Sequence, residues 1–186
     1  MRTVTSGLFT SVDGVVQDPF RFQYDSFDDE LGAGMGRFMA ATSTVLLGRT
    51  SYEEWATWWP AHPEDPFARF INPIEKLVVS RTLGPDLAWE HSTLIEGDLL
   101  DVVRELRAGD GGDVAVCGSI SVVRQLVFAG LLDELQLMIH PAVAGAGRRL
   151  FEPTDPPLRL RLLRSEVTSK GNVLNTYGPF EAVVAP

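Results

Sequence analysis

The stretch DVAVCGSISVVRQLVFAGLLDELQLMIHPAVAGAGRRLF, residues 113–151, decides the fold. Its first apolar run, Asp113–Cys117, has the length of a buried strand and breaks at Gly118-Ser119. Helical spacing then carries to Ala129, Gly130 supplies a stop, and Asp133–His140 (DELQLMIH) reads as a second strand. Strand, helix and strand joined by turns this short form the unit from which helix-covered parallel sheets are built.

The alternation extends upstream. Residues 2–12 read as a first strand closed by the turn dipeptide Asp13-Gly14. A loop from Val15 to Ser26 carries Pro19, Phe20, Phe22 and Tyr24, more aromatic surface than an idle connection holds, as expected of a segment covering a site. Asp28–Ala41 is predicted helical although Gly32, Gly34 and Gly36 each weaken it by about 1 kcal/mol. Thr44–Leu47 is a buried strand, and a helix runs from Arg49 to about Trp59, with Thr50 and Glu53 at capping-box spacing. The spacing of Trp55, Trp58 and Trp59 on that helix points to packing. Pro60, Pro63, Pro66 and Pro73 make residues 60–73 a surface excursion with at most a short helix at Phe67–Ile71. Lys76–Ser80 is a strand, Thr93–Ile95 a shorter one, and Asp98 caps a helix that ends at Ala108-Gly109.

Downstream, Leu158, Leu160 and Leu162 alternate with Arg159 and Arg161, which predicts a half-exposed strand with an apolar face. Lys170-Gly171-Asn172 turns the chain into a last strand near Val173–Tyr177. The expected fold is α/β: a three-layer α/β/α sandwich with a mostly parallel sheet and antiparallel C-terminal strands. Residues 1–186 are expected to form one domain, because halves of this chain would each lack a comfortable core.

Composition narrows the function. A formal charge of −9 argues against nucleic acid and anionic membrane as partners. No apolar run approaches the roughly 20 residues of a membrane span, and the N-terminal stretch lacks the apolar core of a signal peptide, so a cytoplasmic location is expected. Cys117 is the lone cysteine, which leaves no internal disulfide, and it reads as an inert buried thiol. His62, His91 and His140 lack metal-ligand spacing, so no metal site is expected.

In parallel sheets ligands sit beyond the carboxyl ends of the strands, which selects Ser11–Gly14, Gly48–Thr50, Ser80–Thr82 and Cys117–Ile120. Gly48-Arg49-Thr50 puts a glycine, a guanidinium and a hydroxyl at a helix N-terminus, where free amides favour an anion, although an ordinary capped junction would look the same. Ser80-Arg81-Thr82 repeats the hydroxyl and guanidinium, and Gly118-Ser119 lets backbone approach a diphosphate. The full G-x-G-x-x-G fingerprint is absent.

In this order, TSVDGVV (10–16), TVLLGRTSYE (44–53), KLVVSRTL (76–83) and residues 113–151 resemble the dihydrofolate-reductase-like family. The branch they are most similar to is the C-terminal reductase domain of the riboflavin-biosynthesis deaminase/reductase. The H-x-E and P-C-x-x-C zinc signature of a deaminase half is absent. The resemblance implies NADPH lying across the strand ends. Gly48, Arg49 and Thr50 would hold phosphates; Ser80, Arg81 and Thr82 the adenosine 2′-phosphate; and Gly118, Ser119, Ile120, Ser121 and Val122 the diphosphate. Phe9, Thr10 and Val16 would border the nicotinamide, while Ser11, Phe22, Tyr24 and Phe27 would face the substrate. The helix acid that anchors pterin in true dihydrofolate reductases has no match: Gly34 and Met35 fall near that place, and Asp28, Asp29 and Glu30 lie earlier.

The expected activity is NADPH-dependent transfer of hydride to a small planar heterocycle, pterin- or aminopyrimidine-like, similar to 5-amino-6-(5-phosphoribosylamino)uracil reductase or dihydrofolate reductase. Asp13 is the candidate proton relay. A phosphorylated pyrimidine would need a second basic pocket, for which Arg21, Arg148 and Arg149 are the candidates. The alternative is a nucleotide-binding module of the same fold without turnover. A homodimer is expected, because the aromatic excursion and the C-terminal strands leave apolar surface to cover.

Overall fold

The computed structural model describes residues 1–180. Its strands are β1 (Val4–Ser11), β2 (Thr42–Gly48), β3 (Glu75–Val79), β4 (Ser92–Ile95), β5 (Asp113–Val116), β6 (Glu134–His140), β7 (Leu160–Val167) and β8 (Val173–Pro179). They form one eight-stranded sheet in the order β4-β3-β2-β5-β1-β6-β8-β7. The first six strands are parallel, whereas β8 runs antiparallel to β6 and β7 antiparallel to β8. The helices are α1 (Phe20–Gln23), α2 (Asp29–Ala41), α3 (Arg49–Trp58), α4 (Pro66–Ile71), α5 (Leu99–Ala108) and α6 (Ile120–Phe128). Among the described residues no helix is long and apolar enough to cross a membrane.

Alternation along each strand builds two cores. Leu46, Val114 and Val116 pack with Leu99 and Val103 of α5 and with Val123 and Leu126 of α6. Their strand neighbours Val45, Leu47 and Ala115 point the other way, onto Tyr52 of α3 and Ile71 of α4. Beside this second layer, Leu31 and Met35 of α2 meet Phe9, Met138 and Leu174. Trp55 and Trp59 join the second core, edge-on to each other at 6.1 Å, whereas Trp58 is exposed and stacks on His62. Asp98 caps α5 by accepting from the Leu100 amide, as the sequence indicated, and Asp28 does the same for α2 through Leu31.

Three local expectations are corrected. The capping box at Thr50 and Glu53 does not form: α3 begins at Arg49 with Gly48 at the N-cap, which leaves Thr50 inside the first turn, and Glu53 instead pairs with Arg49 at 2.8 Å. The Val15–Ser26 connection is not loop throughout, because after Pro19 it winds into the single turn of α1. The C-terminal leucine alternation covers Leu160 alone, which packs against the first core: β7 is the edge strand, its register shifts between Leu162 and Arg164, and Leu158 and Leu162 are exposed.

Candidate functional site

Because β3, β2, β5 and β1 are neighbours, Val79, Gly48, Val116 and Ser11 end along one rim of the sheet, and the segments selected from the sequence meet there. The centre of that rim is the junction of two strand-to-helix turns. The Gly48 amide donates to the Gly118 carbonyl at 2.9 Å, and the Ser51 amide donates to Ser119 Oγ at 3.4 Å. A β-carbon on Gly48 would lie 2.5 Å from Ser119 Oγ, and one on Gly118 would lie 2.4 Å from Ser51 Oγ. Gly118 also has φ +124°, and the Gly118–Ser119 peptide is cis. The turns can touch only because both positions lack a side chain.

Their contact sets the starts of α3 and α6 side by side, with no acidic residue in either first turn. First-turn amides lack helical partners and carry the positive end of the helix dipole, so the paired starts form an anion seat. Arg49 and Thr50 are exposed beside it. The Arg49–Glu53 pair is about half exposed on both sides, a weak tie that an anion can compete with. At the next strand end, Ser80 Oγ accepts the amides of Thr82 and Leu83 at 3.1 and 3.0 Å, which fixes a turn that leaves Arg81 and Thr82 exposed. Ser121 is exposed and Ile120 half-buried at the start of α6. Val122 is not a surface residue: its side chain lies in the core and its amide donates to the Ser119 carbonyl. The donor set, two dipole ends with hydroxyls and guanidinium groups and no first-turn carboxylate, fits the phosphates of a dinucleotide. Burial pushes the Cys117 thiol up to about 12, so it remains protonated at neutral pH.

The neighbouring end of β1 is tied down. Ser11 is buried, donates to the Asp13 carboxylate at 2.6 Å and accepts the Val15 amide at 3.0 Å. Asp13 also accepts the amides of Ala144 and Gly145 at 2.9 and 3.0 Å, with the Arg149 guanidinium 3.6 Å away. The Ser11 hydroxyl and then the Ala144 amide hold its carboxyl at about 2. A carboxylate ionised at neutral pH and hydrogen-bonded on both oxygens ties the end of β1 to residues 144 and 145. Next to it the Val16 amide donates to the Arg148 carbonyl and the Arg148 amide to the Gln17 side chain, which zips the loop after β1 to residues 143–149. A cleft of about 120 Å³ lies along the zip, lined by Gln17, Arg21, Tyr24, Val143 and Gly147 among others. Arg21 therefore reaches the cleft, while Arg149 is committed to Asp13.

Of the nicotinamide candidates, Phe9 is half-buried against Phe27 at 6.3 Å, Thr10 is buried with its hydroxyl on the Ser11 carbonyl, and the Val16 side chain is buried in the core. Tyr24 and Phe27 are exposed and free to meet a substrate. Phe22 is buried against His140, with ring centroids 5.9 Å apart, and lines the cleft. His140 itself escaped the sequence reading. It ends β6 directly opposite Ser11, is fully buried, and is contacted by Ser26 and Gln23. The signal available was its place, a polar residue closing an apolar run at a strand's carboxyl end. Among the described residues no three His, Cys, Asp or Glu side chains cluster as metal ligands do.

Comparison with known proteins bears on this geometry. The family model described as the RibD C-terminal domain matches residues 2–174. Two Bacillus subtilis proteins, the uncharacterized YyaP and YwjB, are 29% and 26% identical over 149 and 155 residues. Those matches cover 77% and 82% of this chain and 78% and 84% of theirs. A putative riboflavin biosynthesis protein of Shewanella sp. PV-4 shares the fold with a TM-score of 0.75 at 19% identity, over 96% of this chain and 99% of that one. A pyrimidine reductase-like protein of Corynebacterium diphtheriae gives 0.65 at 14%, over 96% and 92%. The Thermotoga maritima diaminohydroxyphosphoribosylaminopyrimidine deaminase/5-amino-6-(5-phosphoribosylamino)uracil reductase gives 0.66 at 14%, over 96% of this chain and 57% of that longer one.

Proposed function

This chain belongs to the family of the RibD C-terminal domain, and on that premise we propose that it is an NADPH-dependent reductase of a small, pyrimidine-like heterocycle. The observation that carries the reading is the paired start of α3 and α6 at the Gly48–Gly118 contact, with no first-turn acid and with Arg49, Ser80 and Arg81 at the same rim. Dipole ends and guanidinium groups offset the repulsion that a chain of net charge −9 exerts on a phosphorylated ligand. When bound, the reduced nicotinamide supplies the hydride. The chain's own part is to hold phosphates at Arg49, Thr50 and Ser121, to fix the walls beside Phe9, and to enclose the cleft with residues 15–27.

The α2 face favours a pyrimidine-like ring over folate. Asp28 at the N-cap accepts the amides of Leu31 and Lys170, and Leu31 and Met35 present an apolar face to Met138 and Leu174. Gly34 and Met35 stand on α2 near the place where dihydrofolate reductases carry their pterin-anchoring acid. The lack of an acid at those positions suits the second reading, a nucleotide-binding module without turnover. NADPH oxidation against a panel of aminopyrimidines and pterins separates them: turnover of a pyrimidine supports the reductase, and tight NADPH binding without turnover of any of them leaves the module. Failure to bind NADPH at all overturns both. We further propose self-association of two copies through β7, whose outer edge has no strand partner among the described residues.

A further inference from the structure

A buried imidazole fastens the segment between α1 and α2 to the end of β6. His140 is 0% exposed, and its ring is flanked by Phe9 and Phe22 with centroids 5.4 and 5.9 Å away. Nδ1 lies 2.6 Å from Ser26 Oγ, and Nε2 lies 3.4 Å from the side-chain nitrogen of Gln23. The Ser26 hydroxyl has one proton, which it donates to the Gln23 carbonyl at 2.6 Å, since that oxygen can only accept. Ser26 Oγ must then accept from His140, so the ring proton sits on Nδ1 and Nε2 is bare. The bare Nε2 accepts from the Gln23 amide. Gln23 thus donates to His140, His140 to Ser26, and Ser26 back to Gln23, a closed circuit in which one neutral tautomer satisfies every member.

We propose that His140 is a positioning residue, a latch that holds Phe20–Phe27 over the adjoining ends of β1 and β6 and thereby sets the wall of the cleft where the heterocycle would lie. The link to the heterocycle rests on the function proposed above; the latch stands apart from it. A doubly protonated ring would turn an N–H toward the Gln23 side-chain nitrogen, so the amide must rotate to present its oxygen and the circuit of the neutral ring is lost. The groups around the ring bear this out. From β1 and α1 it meets Phe9, Phe22 and Gln23, with Ser11 opposite it in the sheet, and none of these carries a charge. The carboxylate that acts on it is Asp28, which accepts the amides of Leu31 and Lys170. The hairpin before β8 contributes Asn172, whose Oδ1 is buried without a partner, and the Lys170 ammonium turns to the Asp25 carbonyl. Burial outweighs the help that Asn172 and Asp28 give the charged form, so His140 titrates below the ordinary histidine range. The latch is closed at neutral pH and opens in acid.

Two readouts test this on the whole chain without using turnover. Long-range proton–nitrogen spectra at pH 7.5 should show a neutral His140 ring carrying its proton on Nδ1. Amide exchange of Gln23 and Ser26, corrected for intrinsic rates, should rise at least tenfold in His140→Leu and Ser26→Ala at pH 7.5 while β5 stays protected. His140→Asn, which keeps an N–H near the place of Nδ1, should restore protection and remove the acid sensitivity of the wild type. Should His140→Leu not fold, Ser26→Ala decides alone. A proton on Nε2, a charged ring at pH 7.5, or unchanged exchange in Ser26→Ala overturns the latch. Where a pyrimidine is turned over, Ser26→Ala should raise its KM more than it lowers kcat, and the opposite split overturns the positioning role. Absence of wild-type turnover removes the proposed function but leaves the exchange results to decide the latch.

Discussion

Gly48 and Ser119 approach so closely that a β-carbon on the glycine would sit 2.5 Å from the serine oxygen and 3.0 Å from the serine backbone nitrogen. Two strand-to-helix turns from distant parts of the chain share one van der Waals contact, and the proposed phosphate seat exists only while they do. Gly48→Ala should therefore destabilise the fold by about 1–3 kcal/mol, as overpacking does, and weaken NADPH at least tenfold. Adding Ser119→Gly removes the nearest clashing atoms and should recover part of both losses. Thermal melts and calorimetric titration of the single and double variants check this.

NADPH should bind more tightly than NADH. If Arg81 makes one charged hydrogen bond to the 2′-phosphate, worth about 1.5–3 kcal/mol, Arg81→Ala weakens NADPH about tenfold to a hundredfold and leaves NADH nearly unchanged. Arg49→Ala should weaken both cofactors, because it stands at the seat they share. Equal affinity of the wild type for the two cofactors would sink the assignment of Ser80 and Arg81.

Asp13 should shape the acid limb of stability. Its folded carboxyl is held at about 2, below its unfolded value, so its contribution is complete above the unfolded value and disappears as pH falls toward 2. Asp13→Asn places an amide hydrogen against the Ala144 or Gly145 N–H. Urea midpoints should drop at pH 7 and change less between pH 4 and 2 than in the wild type. A wild-type acid profile in the Asp13→Asn variant would contradict the anchoring role.

Association should depend on β7. Light scattering at micromolar concentration is expected to give a dimer, and Leu162→Lys with Val167→Lys, both at exposed edge positions, should shift it to monomer without lowering the melting point of the core. A wild-type monomer removes the proposal.

How far the sequence could be read varies from element to element. The strand-helix alternation was legible because it rests on local signals: Asp98 and Gly109 bound α5 where a capping side chain and a residue without Cβ are expected. The rim segments were legible for the same reason, since Gly48, Ser80 and Gly118 each sit where a strand ends. What local pattern could not show is which neighbour arrives from elsewhere. Glu53 had a capping partner by spacing, but a guanidinium at Arg49 competed for it. Phe22 looked like a loop aromatic until His140, from over a hundred residues away, gave it a buried surface. Asp13 was the nearest carboxylate to the site, and only the amides of residues 144 and 145 reveal that it is engaged.

β5 lies between β1 and β2, although it is made long after both. The N-terminal half of this chain holds β1 together with β2 and β3, and β1 cannot pair with either of those in the final sheet. β1 and the free edge of β2 must wait for β5 to be inserted between them. No nascent chain that stops short of Gly118 holds both halves of the Gly48–Gly118 junction, so the proposed phosphate seat cannot form on an early intermediate. Whatever protects the first half during synthesis has to be something other than a ligand of that seat.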